Sequence, residues 1–116
     1  MTLRYDLRIN QGETFRWTYT MLDDEGNGDP ALLSGATAKA QIRTHAASPA
    51  LLYEWSAAHG NLAYDVNTIV LTTPSVDSSL WTFRTGVWAL ELAHADGVTD
   101  RLAEGLVIVH PEIVRP

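Results

Sequence analysis

Three features of the 116-residue sequence predict a single all-β domain, built as a sandwich or small barrel. Apolar and polar residues alternate with a period of two over most of the chain. Gly, Pro, Asn and Asp signals interrupt this alternation at intervals of about ten residues. No amphipathic helical pattern of useful length is present. These features favour seven or eight short strands in one domain that spans residues 1–116.

The alternation starts at the beginning of the chain. In Thr2–Asn10 it places Leu3, Tyr5, Leu7 and Ile9 on one side. The other alternating or β-prone segments before the middle of the chain are Glu13–Leu22, Ala36–Thr44 and Leu51–Trp55. Each segment is as long as an ordinary strand and contains the β-branched and aromatic residues that suit a half-buried sheet.

The second half of the sequence predicts two hairpins and one helical turn. Gly60–Asp65 and Thr68–Thr73 flank Val66-Asn67, which indicates a short turn. Pro74–Leu80 contains a proline at a start position followed by serines and an aspartate, which favours one helical turn between the sheets. Gly86–His94 and Thr99–Val109 are joined through Asp96-Gly97, a strong hairpin signal.

Composition excludes several classes of protein. The chain has fourteen acidic and eight basic residues, a net charge of −6, whereas binding to nucleic acid or to an anionic membrane needs a basic patch. Met1 leads into a charged alternating segment without an apolar signal region. We therefore expect no nucleic-acid or membrane partner, and synthesis in a cytoplasm.

The chain contains no cysteine, so it has no disulfide, no thiolate metal site and no cysteine nucleophile. The four histidines are far apart in sequence, although His94 and His110 lie on opposite arms of the final predicted hairpin. The polar segment Asp23–Asp29 resembles the first half of a calcium-binding loop. Ser34 stands where that motif needs a bidentate glutamate, and no helix flanks the segment. We expect no metal and no cofactor.

No arrangement in the sequence nominates a catalytic site. Ser75, Ser78 and Ser79 have no neighbouring histidine and no Gly-x-Ser-x-Gly elbow, and no glycine-rich phosphate loop is present. We therefore expect a protein that is not an enzyme.

Aromatic residues suggest an alternative function. Phe15, Trp17 and Tyr19 lie on an apolar alternating face and are expected in the core. Trp55 and Trp81 fall near the ends of elements, where we expect surface contact. If these two, or Tyr64, formed an exposed coplanar platform, the chain would suit a carbohydrate-binding or host-adhesion module.

Several short motifs together resemble a known group of proteins. They are Gln11–Phe15, Leu33–Ala38, Ala40–Arg43, Gly86–Leu92, Asp96-Gly97, Arg101-Leu102 and Glu104–Val109. This set resembles small β-sandwich structural proteins of tailed bacteriophages. It is similar to the immunoglobulin-like N-terminal domain of siphophage baseplate upper proteins and to related proteins of actinobacterial phages and prophages. The resemblance covers nearly the whole chain.

The resemblance implies a single immunoglobulin-like β-sandwich of seven to eight antiparallel strands with at most one helical turn. It also implies a non-enzymatic virion component, either a baseplate or tail accessory protein or a capsid decoration protein. Its partners would be other capsid, tail or baseplate proteins, and several symmetric copies, or a homo-oligomer, would be present in the particle. The group has no catalytic residues to transfer to this chain.

Charged side chains on outward faces are the other candidates for contact with a partner. Arg4, Arg8 and Arg16 alternate with apolar residues and should point away from the core. With Trp55 and Trp81 they complete the predicted interface residues. A free sheet edge would offer a second way to bind, because it can accept a strand from a neighbour.

Overall fold

The computed structural model describes residues 2–22, 26, 33 and 35–113. The strands are β1 (Leu3–Arg4), β2 (Leu7–Asn10), β3 (Phe15–Thr20), β4 (Thr37–Arg43), β5 (Leu51–Ser56), β6 (Leu62–Asp65), β7 (Thr68–Thr73), β8 (Thr85–Ala93) and β9 (Thr99–His110). One short helix, α1 (Ser75–Ser78), lies between β7 and β8. The predicted all-β class and the single helical turn are both confirmed.

Two sheets form the sandwich. The large sheet has the order β1-β9-β8-β4-β5, and β2 also pairs with β9; the small sheet has the order β3-β7-β6. The sets β3-β7-β6 and β4-β8-β9 match strands B-E-D and C-F-G of the immunoglobulin arrangement, and β5 extends the larger sheet as an added strand. The connectivity therefore agrees with the expected immunoglobulin-like sandwich.

The first predicted strand differs from the structure in two respects. Its two halves, β1 and β2, pair with β9 in parallel, although only antiparallel strands were expected. The chain is also interrupted at Tyr5-Asp6, so the side chains of Leu7 and Ile9 are buried while those of Leu3 and Tyr5 are exposed. The described part of the chain consequently holds nine strands, because one predicted strand is broken in two.

A β-bulge changes the faces of the last strand. Leu90 lies opposite Ala103 and Glu91 opposite Arg101, so Leu102 is an extra residue in β9. Leu102 and Ala103 are therefore both buried, although alternation placed them on opposite faces. Beyond the bulge the alternation is regular.

The core lies between the sheets. Its largest fully buried side chains come from β2, β4, β5, β7, β8 and β9, and they are Leu7, Ile9, Ile42, Trp55, Ile69, Leu71, Leu90, Leu92 and Val107. Phe15, Trp17 and Tyr19 of β3 are half-buried and pack against this cluster, as their alternation predicts. The rings of Trp17 and Trp88 meet edge to face, with centroids 5.1 Å apart, and so join the two sheets.

Candidate interaction faces

The expectation that Trp55 and Trp81 lie at the surface is wrong. Trp55 is 0% exposed and Trp81 is 8% exposed. Both rings pack edge to face on Tyr53, and the indole N–H of Trp55 donates to Thr73 Oγ1 over 3.0 Å. Both tryptophans belong to the core cluster, so residues near element ends in sequence are covered in space.

The three predicted arginines are exposed, but the structure divides them between two faces. Arg4 and Arg8 project from the large sheet, and Arg16 projects from the small sheet. Arg4 Nε lies 3.7 Å from Asp6 Oδ1. The predicted residues therefore do not form one interface.

Tyr64 does not form a platform with the two tryptophans. The residue is 40% exposed, and its hydroxyl oxygen accepts a 2.7 Å hydrogen bond from the backbone N–H of Ala38. This bond crosses from β6 in the small sheet to β4 in the large one. The last residue of β5 that pairs with β4 is Ser56, which lies opposite Lys39. The N–H of Ala38 is beyond this pair, and the hydroxyl of Tyr64 supplies its acceptor. Tyr64 therefore has a structural role, because it links the two sheets through this hydrogen bond.

A second side chain closes the outer edge of β5. The amide of Asn61 accepts from the N–H of Ser56 over 2.9 Å and donates to the C=O of Glu54, also over 2.9 Å. These two backbone groups point away from β4, so the amide occupies the place of a peptide group on a neighbouring strand. The same amide nitrogen lies 3.0 Å from the hydroxyl of Tyr53.

A carboxylate fills the interruption at the opposite edge of the large sheet. Asp6 Oδ1 accepts a 2.9 Å hydrogen bond from the N–H of Leu106, between the segments of β9 that pair with β1 and β2. This carboxylate therefore satisfies a backbone group of β9 inside the sheet, whereas Asn61 satisfies groups on the outer side of β5. Addition of a partner strand to this part of β5 would have to displace Asn61.

The outer face of the large sheet contains a partly enclosed depression of about 490 Å³. The apolar side chains of Val87, Ala89 and Leu106 lie along it, and Leu106 is 43% exposed. We call the outward surface of β1, β2, β4, β5, β8 and β9 the large-sheet face. Its charged members are Arg4, Asp6, Arg8, Lys39, Arg43, Glu54, Glu91, Arg101 and Glu104.

Charges of opposite sign alternate across this face. Lys39, Glu91 and Arg101 lie side by side on β4, β8 and β9. Arg101 approaches Glu91 Oε2 at 3.6 Å and Glu104 Oε2 at 3.8 Å, and Lys39 Nζ lies 4.0 Å from Glu54 Oε1. Five of the eight basic residues of the chain are on this face, against four of the fourteen acidic ones. The large-sheet face is thus nearly neutral in a strongly acidic protein.

Hydrogen bonds hold the polar side chains of the face in place. Arg43 donates to the carbonyl oxygens of Ser48 and Pro49 and to Gln41 Oε1, at 2.9–3.2 Å. Gln41 Nε2 in turn donates to Glu54 Oε1 over 2.7 Å. Side chains that are already ordered lose less conformational entropy when a partner covers them. The face is therefore preorganised for contact.

One group of residues has the composition of a catalytic triad without its geometry. Ser56 Oγ lies 2.7 Å from His59 Nδ1, and Glu54 Oε2 lies 3.2 Å from the same nitrogen. A relay needs the hydroxyl and the carboxylate on different ring nitrogens, so that a proton taken at one is balanced at the other. Here both groups share Nδ1, and the cluster serves to hold the turn after β5.

His94 and His110, on opposite arms of the final hairpin, do not come together. His94 Nε2 pairs with Asp100 Oδ2 at 2.9 Å, while His110 is at the other end of β9, opposite Asn10. Among the described residues, no three His, Asp or Glu side chains are grouped so as to hold a metal ion. The segment Asp23–Asp29, considered above for calcium, lies outside the described residues except for Gly26.

No helix in the described ranges is both long and apolar enough to cross a membrane. Comparison with known proteins adds no family to this description: no protein-family model matches the chain, and no curated protein matches it.

Proposed function

We propose that the chain is a non-enzymatic structural component of a tailed-phage virion that acts through protein–protein contacts. It would be a baseplate or tail accessory protein or a capsid decoration protein, made in the host cytoplasm and incorporated in symmetric copies. The motifs of the sequence that resemble such proteins support this, and the immunoglobulin-like strand order is the fold that the resemblance implies.

The observation that carries the proposal is the large-sheet face. An apolar strip at its centre is bordered by charged side chains of both signs, which is the usual anatomy of a protein interface with an apolar core and a polar rim. More than half of the residues that line the depression are charged or polar, whereas a small-molecule site is lined mostly by apolar side chains. Alternating charges would fix the orientation of the partner.

The capped part of β5 supports rigid docking through a face. Asn61 satisfies backbone groups of β5 that an incoming strand would otherwise bind. A virion protein must bind in one register and must not polymerise by strand addition in the cytoplasm before assembly. A face with ordered charges meets both requirements.

The residues expected to contact sugar in the alternative, a carbohydrate-binding module, do not form an exposed platform. Trp55 and Trp81 are buried, and the hydroxyl of Tyr64 is bonded to β4. No other observation favours it, so we keep one proposal.

The proposal is tested with phage particles assembled without this protein. The purified chain is added over a range of concentrations, and the bound copies per particle are counted after sedimentation. We expect saturation at a fixed copy number, which would distinguish many capsid positions from few tail or baseplate positions. Failure to bind particles of the phage that encodes the chain would contradict the proposal.

A matched pair of variants assigns the contact to a face. Leu106→Arg places a charge on the central apolar strip, and Leu80→Arg places the same charge on an 82% exposed residue just after α1. We expect the first variant to weaken particle binding by about tenfold or more, because it buries a charge at an interface core. The second should bind like the wild type. Equal binding of both would exclude the large-sheet face as the docking surface.

A further inference from the structure

The outer surface of the small sheet differs in kind from the large-sheet face. We call it the small-sheet face, and its outward residues are Arg16, Thr18, Thr20, Ala63, Asp65, Thr68, Val70 and Thr72. Thr18, Val70 and Ala63 form the middle row across β3, β7 and β6. Most of these side chains are short and β-branched, so the surface is flat and carries methyl groups. Another sheet could approach it to about 10 Å, the usual spacing of stacked sheets.

The two charges of this face lie at opposite corners. Arg16 is on β3 opposite Thr72, and Asp65 is on β6 opposite Thr68, which also faces Thr20. Two strand spacings and four residues along the strands place the two Cα atoms about 16 Å apart. Both side chains are exposed, and in the described part of the chain neither has an ion-pair partner. On the large-sheet face Arg4, Lys39 and Arg101 are paired, while Arg8 has no ion-pair partner among the described residues.

We propose that the small-sheet face binds the same face of a second copy of this chain. A two-fold axis that lies between the two sheets, perpendicular to the line from Arg16 to Asp65, exchanges the two corners. Arg16 of each copy then lies over the partner's Asp65, and Asp65 lies over the partner's Arg16. The uncharged centre of Thr18, Val70 and Ala63 packs against itself. The face is therefore complementary to its own copy in both charge and shape.

The size of the face sets the strength of this contact. Three strands and six residues give a footprint of about 14 by 20 Å. This is smaller than the surface of about 800 Å² per partner in a standard stable interface. The dimer should therefore be weak and reversible in solution and should gain strength where neighbouring copies are held together. It leaves the large-sheet face free, and it does not depend on the identity of any virion partner.

Charge exchange tests the proposed contact in the isolated, full-length protein. Sedimentation equilibrium from about 10 µM to about 1 mM should show a monomer–dimer equilibrium that weakens as salt is added. Arg16→Asp and Asp65→Arg each place like charges opposite one another twice per dimer. Each should raise the dimer Kd by about tenfold or more, and the double variant should restore it to within about threefold of the wild type.

Two further variants complete the test. Arg84→Asp reverses another exposed charge, outside both faces, and should leave the dimer Kd unchanged. Thr18→Arg introduces a long charged side chain at the centre of the face and should abolish the dimer. Circular dichroism verifies that each variant is folded. A wild type that is monomeric at about 1 mM, single variants that dimerise like the wild type, or a double variant that fails to recover would each overturn the proposal.

Discussion

The indole N–H of Trp88 donates a 2.7 Å hydrogen bond to the backbone carbonyl oxygen of Tyr5. This bond ties the interruption between β1 and β2 to the centre of the large sheet. The ring of Tyr5 then covers Trp17, with centroids 5.6 Å apart, and Trp17 packs on Trp88. Two short strands at the sheet edge are thus fixed to the core by one carbonyl and one ring.

Gly105 makes this approach possible. A Cβ atom on residue 105 would lie 2.7 Å from the carbonyl carbon of Tyr5 and 2.9 Å from Asp6 Oδ1. Gly105→Ala would therefore push the Tyr5-Asp6 segment away from β9 and disturb its bonds to Trp88 and Leu106. We expect a loss of about 2–3 kcal/mol in the free energy of unfolding, measured by urea denaturation.

Gly60→Ala is the control for this substitution. Gly60 has a φ of +75° and open space around its Cβ position, so alanine there has a conformational cost of about 1 kcal/mol and no steric one. If both variants lost the same stability, close packing of Tyr5 on Gly105 would not be the reason for the glycine.

Asn61→Ala should expose the outer edge of β5. The substitution removes three hydrogen bonds, to Ser56, Glu54 and Tyr53, and leaves buried or half-buried backbone groups without partners. We expect a loss of about 2–4 kcal/mol in urea denaturation. We also expect light scattering to rise with concentration, because the edge becomes available for strand pairing.

Asn67→Ala is the control for Asn61→Ala, because the side-chain amide of Asn67 makes one hydrogen bond. Asn67 Nδ2 donates only to the carbonyl oxygen of Met21, over 2.7 Å. This variant should lose about 1 kcal/mol and should not aggregate. An Asn61→Ala protein that stayed monomeric at high concentration would show that the amide is not needed to protect the edge.

Tyr53 predicts a change of stability at alkaline pH. Burial, followed by the hydrogen bond to Asp77, raises the pKa of Tyr53 from its ordinary value of 10.0 to about 12. Because the folded-state pKa is above the unfolded value, the protonated hydroxyl of Tyr53 contributes to the free energy of unfolding, and this contribution is complete below about pH 10. The contribution is lost as the pH rises through about 12. Tyr53→Phe cannot ionise at this position. Between these pH values the free energy of unfolding of the wild type should therefore fall relative to that of the variant. A difference that stays constant with pH would contradict the raised pKa.

Gln11 should control the order of one end of the sandwich. Its amide nitrogen donates to the carbonyl oxygen of Trp81 over 2.9 Å, and its oxygen accepts from the N–H of Glu112 over 3.1 Å. Gln11→Ala should cost about 1–2 kcal/mol in unfolding. Amide hydrogen exchange should become faster around Trp81 and Glu112 and remain unchanged in the Asp96-Gly97 turn. Uniform acceleration would mean that Gln11 stabilises the whole fold and not this end.

Alternation predicted most of the strands because one face of each is buried. β7 has the predicted bounds, and β3, β4, β5 and β8 differ from prediction by one or two residues at one or both ends. Alternation did not reveal the break at Tyr5-Asp6 or the bulge at Leu102, because both depend on how β9 pairs with its neighbours. Gly105 inside an alternating segment was a usable signal, since a glycine within a strand often marks a close approach of another backbone.

The sites were harder to predict than the strands. Proximity to an element end suggested exposure for Trp55 and Trp81, but both rings pack on Tyr53 within the core cluster. Outward arginines were identified correctly, yet alternation alone does not say which sheet a strand joins, and so Arg16 was grouped with Arg4 and Arg8. The roles of Asn61 and Tyr64 arise from contacts between β5, β6 and β4, which the sequence places far apart.

The most direct test of the account is electron cryomicroscopy of particles to which the purified protein has been added. The proposal predicts extra density at symmetry-related positions, with the strip of Val87, Ala89 and Leu106 against a neighbouring virion protein. Particles without added density, or density in which the large-sheet face points into solvent, would contradict it.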